Sequence, residues 1–222
     1  MLPEELSISN LKLSSFNFSN ENLKALRDFF IFLRNIDDKI SRTSPNELHE
    51  TLWAFLGILG RCYQLMLCCI DELTGGNWNG FYAAARGLIE TLCSIIWVNE
   101  NHDRLPSLVQ TNTLRIGGLL NSGYKKYPYL KTTYSYISGI THPNRDSHLL
   151  GFRTPEEGLG KEIWSPFNLS FSNYFANEKM GILIQLSKLI VDEINLLIAD
   201  GPMLFKSGRL MGFVSTKKKE IK

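Results

Sequence analysis

The segment from Asn77 to Asn101, NWNGFYAAARGLIETLCSIIWVNEN, decides how the rest of the chain is read. Its apolar run predicts a buried helix, yet it carries Arg86 and Glu90 one turn apart. A charge taken out of water is costly unless it is partnered, so such a helix needs neighbours that satisfy the pair. At a spacing of i,i+4 the two side chains share a helix face. Tyr82 lies one turn earlier on that face, and Cys93 and Trp97 roughly continue it. The small residues Gly80, Ala83, Ala84, Ala85 and Gly87 predict close approach of another backbone around Arg86.

Working outward, Thr74-Gly75-Gly76-Asn77 is a glycine helix stop followed by a turn. It closes a preceding helix expected from about Asn46 to Leu73, whose broad apolar face makes it central. Before that, Leu23, Leu26, Phe29, Leu33, Ile36 and Ile40 recur at helical spacing from about Asn20, with Ser19 or Asn20 as N-cap. Residues 1–19 lack a sustained period and read as a flexible arm. After Asn101 a fourth helix is expected from Arg104 to about Tyr124, although Gly117-Gly118 weakens it. A shorter fifth follows from Tyr129 to about His142. Residues 143–173 change character and read as a loop or small β excursion, with Pro166 against a regular central strand. A last long helix is expected from about Asn173 to Ala199, ended by Gly201-Pro202. The expected fold is therefore mainly α: one bundle of about five or six helices spanning 20–205, with a basic C-terminal tail over 206–222.

The chain has 222 residues and a net charge of +2, with 44% hydrophobic and 21% charged residues, as in ordinary globular proteins. Six cations against Glu220 give the last twenty residues +5, which leaves −3 for the other 202. The body is thus not a uniformly basic nucleic-acid platform, although the tail could touch phosphate. Cys62, Cys68, Cys69 and Cys93 have no metal-ligand spacing and read as reduced thiols in a cytoplasmic protein. The most membrane-like run, Leu52–Ile70, is interrupted by Arg61 and Gln64, which favours a core helix over a membrane span. No metal, cofactor or membrane partner is expected.

Phosphate-loop, dinucleotide-fold, zinc-protease and serine-hydrolase signatures are absent, and His49-Glu50 lacks a second histidine. The positive signal is a second row. In YSYISGITHPN, Tyr134, Ser138 and His142 fall at i, i+4 and i+8, so a helix aligns a phenol, a hydroxyl and an imidazole. Facing Arg86 and Glu90, that row would make a polar cleft, with Asn144 and Arg145 in the following loop at its mouth. The same residues could instead lock two helices in register. Both readings stay open at this point. His102 and His148 read as loop or helix-end residues.

ARGLIETLCSIIWV followed by YSYISGITHPN resembles a group of mostly helical bacterial proteins with an RxxxE helix and a later YxxxSxxxH element. That group is distantly similar to the HEPN superfamily, which includes toxin and antiphage ribonucleases. The resemblance implies an RNA-targeting toxin or phage-defence factor with RNA as partner, whereas an interaction module would pair with a second copy or another protein. The matching positions are Arg86, Glu90, Tyr134, Ser138 and His142; on a catalytic reading the chemistry is metal-independent RNA cleavage with Arg86, Glu90 and His142 catalytic and Tyr134 and Ser138 binding substrate, joined by Asn144 and Arg145 from the loop at the cleft mouth. One departure matters. Catalytic HEPN domains carry RxxxxH on one helix, whereas Arg86 is followed by Gly-Leu-Ile-Glu-Thr and Arg145 precedes His148 by three. Cleavage here would require Arg86 and His142 to converge from different helices. The alternative is a non-catalytic interaction or ligand-binding module built on the same residues.

Overall fold

The computed structural model describes residues 18–43, 47–110, 115–142, 152–153, 163–164, 173–199 and 210–213. Helix α1 spans Asn20–Thr43, and the backbone N–H of Asn22 donates to Ser19 Oγ at 3.2 Å, the expected N-cap. Strand β1 (Glu47–His49) leads directly into α2 (Glu50–Gly75), which therefore starts about one turn later than its sequence suggests. Gly76 adopts φ 74°, where a side chain would be strained, and its N–H bonds the Glu72 carbonyl. Asn77 then caps α3 (Trp78–Glu100) by accepting from Gly80 N at 3.2 Å. A two-residue turn thus reverses the chain and sets α3 against α2.

Helix α3 is the centre of the bundle. It packs against α2, α5 (Ile116–Lys126), α6 (Tyr129–Thr141) and α7 (Asn173–Ala199), and its apolar side chains, from Phe81 through Leu88, Leu92 and Ile96, are fully buried. The predicted close approach around Arg86 is made by α2: a Cβ on Gly87 would sit 3.1 Å from Leu65 Cδ2. Arg61, which interrupts the apolar run of α2, donates from Nε to Thr91 Oγ1 of α3 at 2.9 Å. Helices α2 and α3 are long and apolar enough to cross a membrane, and here much of each is covered by neighbouring helices.

The expected fourth helix is instead two. After a 3₁₀ turn (His102–Arg104) come α4 (Ser107–Gln110) and α5 (Ile116–Lys126), with an extended backbone at Arg115. Gly117 and Gly118 fall in the first turn of α5, where a helix has fewest internal bonds to lose. Gly123 is required by packing, because any Cβ there would run into Cys93 Sγ of α3. Helix α6 (Tyr129–Thr141) follows after Tyr127 and Pro128, and α7 (Asn173–Ala199) matches its expected bounds. Its buried stripe, Met180, Leu183, Leu186, Ile190, Ile194 and Leu197, closes the core against α1 and α3.

Between α6 and α7, β2 (Phe152–Arg153) and β3 (Ile163–Trp164) pair antiparallel, so the excursion contains a short hairpin. Strand β4 (Leu210–Phe213) pairs antiparallel with β1, which ties part of the C-terminal segment to the N-terminus of α2. The sequence shows no pattern for that pairing, since three or four residues are too few to carry a period. The architecture is a mainly α bundle. Residues 1–17 of the N-terminal arm, and the run of lysines after β4, lie outside the described residues; Phe18 packs into the core.

Candidate functional site

Helices α3 and α6 bring the two polar rows together. Tyr82, Arg86 and Glu90 lie along one edge of α3, and Tyr134, Ser138 and His142 along the facing edge of α6. Arg86 Nε donates to Glu90 Oε1 at 3.0 Å and to the Tyr134 hydroxyl at 3.0 Å. The Tyr134 hydroxyl in turn donates to the same Glu90 oxygen at 2.9 Å. The three groups form a closed triangle, with the guanidinium carbon 5.3 Å from the Tyr134 ring centroid. Arg86 is therefore held at Nε by a carboxylate, a phenol and a ring face, and its outer amino edge is left facing away from that triangle.

That outer edge meets the imidazole. Arg86 Nη1 lies 3.4 Å from His142 Nε2, and His142 is exposed just beyond the last turn of α6. Its own N–H bonds the Ser138 carbonyl at 3.1 Å, which fixes the backbone from which the ring projects. The side chains of Arg86 and Glu90 are 31% and 20% exposed, so this is a solvent-reachable pair and not a sealed one. Burial works against the Arg86 charge, but hydrogen bonds to Tyr134 and Glu90 outweigh it and hold the guanidinium pKa above its ordinary value. Burial and the bond to Glu90 raise the Tyr134 pKa, with Arg86 opposing, so the phenol keeps its proton.

Ser138 Oγ is buried with no hydrogen-bond partner among the described residues. Asn144 and Arg145 lie outside the described residues. No group of three or more His, Cys, Asp or Glu among the described residues could hold a metal ion.

Two further clusters escape a reading of motifs. At the far end of α3, Glu193 of α7 is fully buried and takes Lys126 Nζ at 2.7 Å, Tyr127 OH at 2.7 Å and Asn99 Nδ2 at 2.8 Å. Burial, followed by the bond to Glu193, raises the Tyr127 pKa well above the usual phenol value. Its signal in the sequence is a carboxylate placed on the apolar stripe of α7. At the near end, Lys179 is buried with Nζ 2.8 Å from Glu178 Oε1, and 5.4 and 5.7 Å from the ring centroids of Tyr82 and Tyr136. Tyr82 and Tyr136 also meet edge to face, with centroids 6.0 Å apart.

A third signal is hidden by the overall charge. From Arg104 to Arg145 the sequence holds Arg104, Arg115, Lys125, Lys126, Lys131 and Arg145 and not one Asp or Glu. The −3 of the body conceals this acid-free stretch, which includes α5 and α6. No family model, curated protein or solved structure matches the chain.

Proposed function

We propose that the protein is an RNA-targeting factor whose α3/α6 seam binds a phosphodiester and cleaves it without a metal. The observation that carries this reading is the approach of Arg86 Nη1 to the exposed His142 Nε2 across two helices. A guanidinium fixed at Nε presents its remaining N–H groups in a rigid fork that suits two phosphate oxygens. Glu90 and Tyr134 supply that fixation, so Arg86 meets the phosphate without first being ordered. The absence of Asp and Glu from α5 and α6 favours a polyanion over a peptide or an apolar ligand.

The chemistry uses the ribose itself. The 2′-oxygen attacks the adjacent phosphorus, the bond to the 5′-oxygen breaks, and the products are a 2′,3′-cyclic phosphate and a 5′-hydroxyl. His142 takes the proton from the 2′-hydroxyl, and water protonates the leaving 5′-oxygen. Arg86 neutralises the charge that builds on the non-bridging oxygens. Glu90 is the positioning group for Arg86. Tyr134, protonated and bonded to both, completes the support. The resemblance to HEPN-like bacterial proteins points the same way, toward a toxin or phage-defence role in a cytoplasm.

The test is incubation of the full chain with single-stranded RNA in the presence of a chelator, followed by analysis of the product ends. Cyclic phosphate termini are expected. His142→Ala and Arg86→Ala should each lower the rate about a hundredfold or more. Equal cleavage by His142→Ala would overturn the assignment.

The alternative reading is a helix lock without chemistry. The closed Arg86–Glu90–Tyr134 triangle favours it, since those three groups already satisfy one another. On that reading the wild type releases no cyclic ends.

A further inference from the structure

From Thr51 to Ile70 helix α2 carries a single charged residue, Arg61. A charge in so apolar a run is tolerated at the helix surface, and Arg61 is exposed. Its side chain is nonetheless held. Arg61 Nε donates to Thr91 Oγ1 of α3 at 2.9 Å, and Thr91 Oγ1 donates in turn to the Gly87 carbonyl at 2.7 Å. Thr91 is buried, so its hydroxyl is a fixed acceptor. Among the described residues no carboxylate pairs with Arg61, and the ion pairs there are made by other cations. A neutral hydroxyl leaves the positive charge uncompensated. A mere tie between α2 and α3 would need only a donor to Thr91, which an uncharged side chain also supplies.

Arg61 and Arg86 are held in the same way. Glu90 accepts Arg86 Nε at 3.0 Å and Thr91 accepts Arg61 Nε, so consecutive residues of α3 pin the two guanidinium groups. Successive residues of a helix point about 100° apart, which sends Arg86 to the α6 side of α3 and leaves Arg61 on the α2 side. What lies between them is low. Gly87 has no side chain, Ser94 folds its hydroxyl back on the Glu90 carbonyl at 2.8 Å, and Glu90 is turned to Arg86. On α2, Gly57 and Gly60 flank Arg61, and a Cβ at either would meet nothing within 4 Å. Each guanidinium, fixed at Nε, presents its Nη groups as a fork that suits phosphate oxygens. They differ in charge: Glu90 balances Arg86, and nothing balances Arg61.

We infer that Arg61 is a second phosphate-binding residue of this site, taking the phosphate next along the strand to the one held by Arg86 and His142. This rests on the RNA reading of the site and divides its labour. Arg86, already paired, serves the phosphate that reacts. Arg61 brings the net charge, and so the affinity. A loss at Arg61 falls on KM, whereas a loss at Arg86 falls on kcat. A substrate with a single phosphodiester has nothing to give Arg61.

Two measurements on the full chain test this. In the first, the chain also carries His142→Ala, and a fluorescein-labelled RNA decamer is titrated by anisotropy at several salt concentrations. Arg61→Gln should weaken binding about fivefold or more at low salt and lower the slope of log affinity against log salt by about 0.7, the share of one phosphate contact on a single strand. Arg61→Lys keeps the charge without the fork, and should stay within about twofold of the parent. In the second, cleavage of a dinucleotide with one phosphodiester is compared with that of a tetranucleotide with three. Arg61→Gln should cut kcat/KM about fivefold on the tetranucleotide, through KM, and no more than about twofold on the dinucleotide. A structural role would lower both alike. Thermal melting shows whether each variant is folded, and Arg61→Lys decides the matter by its salt slope if Arg61→Gln is not. Unchanged affinity and slope in Arg61→Gln overturn the assignment and leave the Arg86–His142 site standing. Equal losses in Arg61→Gln and Arg61→Lys, or on both substrates, also overturn it, because they mark a tie between helices. Absence of RNA binding by the parent overturns both readings, whereas binding without cleavage by the native protein overturns only the catalytic one and leaves the titration to decide Arg61.

Discussion

Glu90 and Glu193 both receive a cation and a tyrosine hydroxyl, yet their surroundings set them to opposite tasks. Glu193 has no exposed surface and spends both oxygens on three donors from two segments: Lys126 and Tyr127 at the end of α5, and Asn99 of α3. Glu90 is 20% exposed and gives one oxygen to a triangle whose arginine keeps an edge facing outward. A carboxylate with no accessible surface and no free acceptor has nothing left to offer a ligand. A half-exposed pair that orients a guanidinium does. The difference teaches that the bundle is stapled at one end of α3 and left open to solvent nearer its middle, by the same kinds of residue.

The contrast is tested most severely at Glu193. Replacing it with alanine strips Lys126, Tyr127 and Asn99 of their shared partner at once. The loss expected for breaking a buried pair is about 3–5 kcal/mol, tempered because Lys126 is 36% exposed and can turn to water. Urea unfolding at constant m-value measures it. A loss below about 1 kcal/mol would mean that Glu193 is no staple, and the comparison would collapse.

Arg86→Ala is the matching change at the open end, and its effect on stability should be small. A partly exposed i,i+4 pair contributes about 0.3–0.5 kcal/mol after solvent screening, and the contact with Tyr134 adds a similar amount. A loss of about 1 kcal/mol or less, together with loss of RNA cleavage, sharpens the division between staple and site. A loss as large as that of Glu193→Ala would make the triangle a lock, and the helix-register reading would then stand.

How far the sequence foretells this division depends on what each cluster needs. The α3 row is legible because Arg86 and Glu90 interrupt an apolar run, and the α6 row because Tyr134, Ser138 and His142 repeat at four. Their meeting across 56 residues depends on the turn at Gly76-Asn77, also legible, and on the short α5, which is not. Extended backbone at Arg115 splits an expected single helix, and α5 and α6 both lie on α3. The Glu193 network was harder still to read. Its four residues come from the ends of different elements, where no period relates them. Tyr136 carries no motif in the sequence; its spacing of two from Tyr134 puts it on the other side of α6, where it is 53% exposed.

The smallest effect concerns the thiols, which report on the seam beside the open site. Burial pushes the Cys62 and Cys93 thiols up to about 12 from an ordinary value of 9.0, with Glu90 adding to the shift at Cys93. Cys93 also faces Gly123 across the contact of α3 with α5. Between pH 9 and about 12 the unfolded chain sheds thiol protons that the folded chain keeps, so the folded state binds more protons in that window. Stability is then fully present below pH 9 and falls as pH rises through it. At neutral pH a thiol reagent should modify exposed Cys68 quickly and buried Cys62, Cys69 and Cys93 only as the fold opens. If the Arg86 triangle is a site and not a lock, Arg86→Ala should speed Cys93 labelling by no more than a few-fold, in step with its small cost in stability. Rapid labelling of Cys93 in that variant would show that Arg86 holds α5 and α6 onto α3, and would move the triangle to the structural side of the comparison.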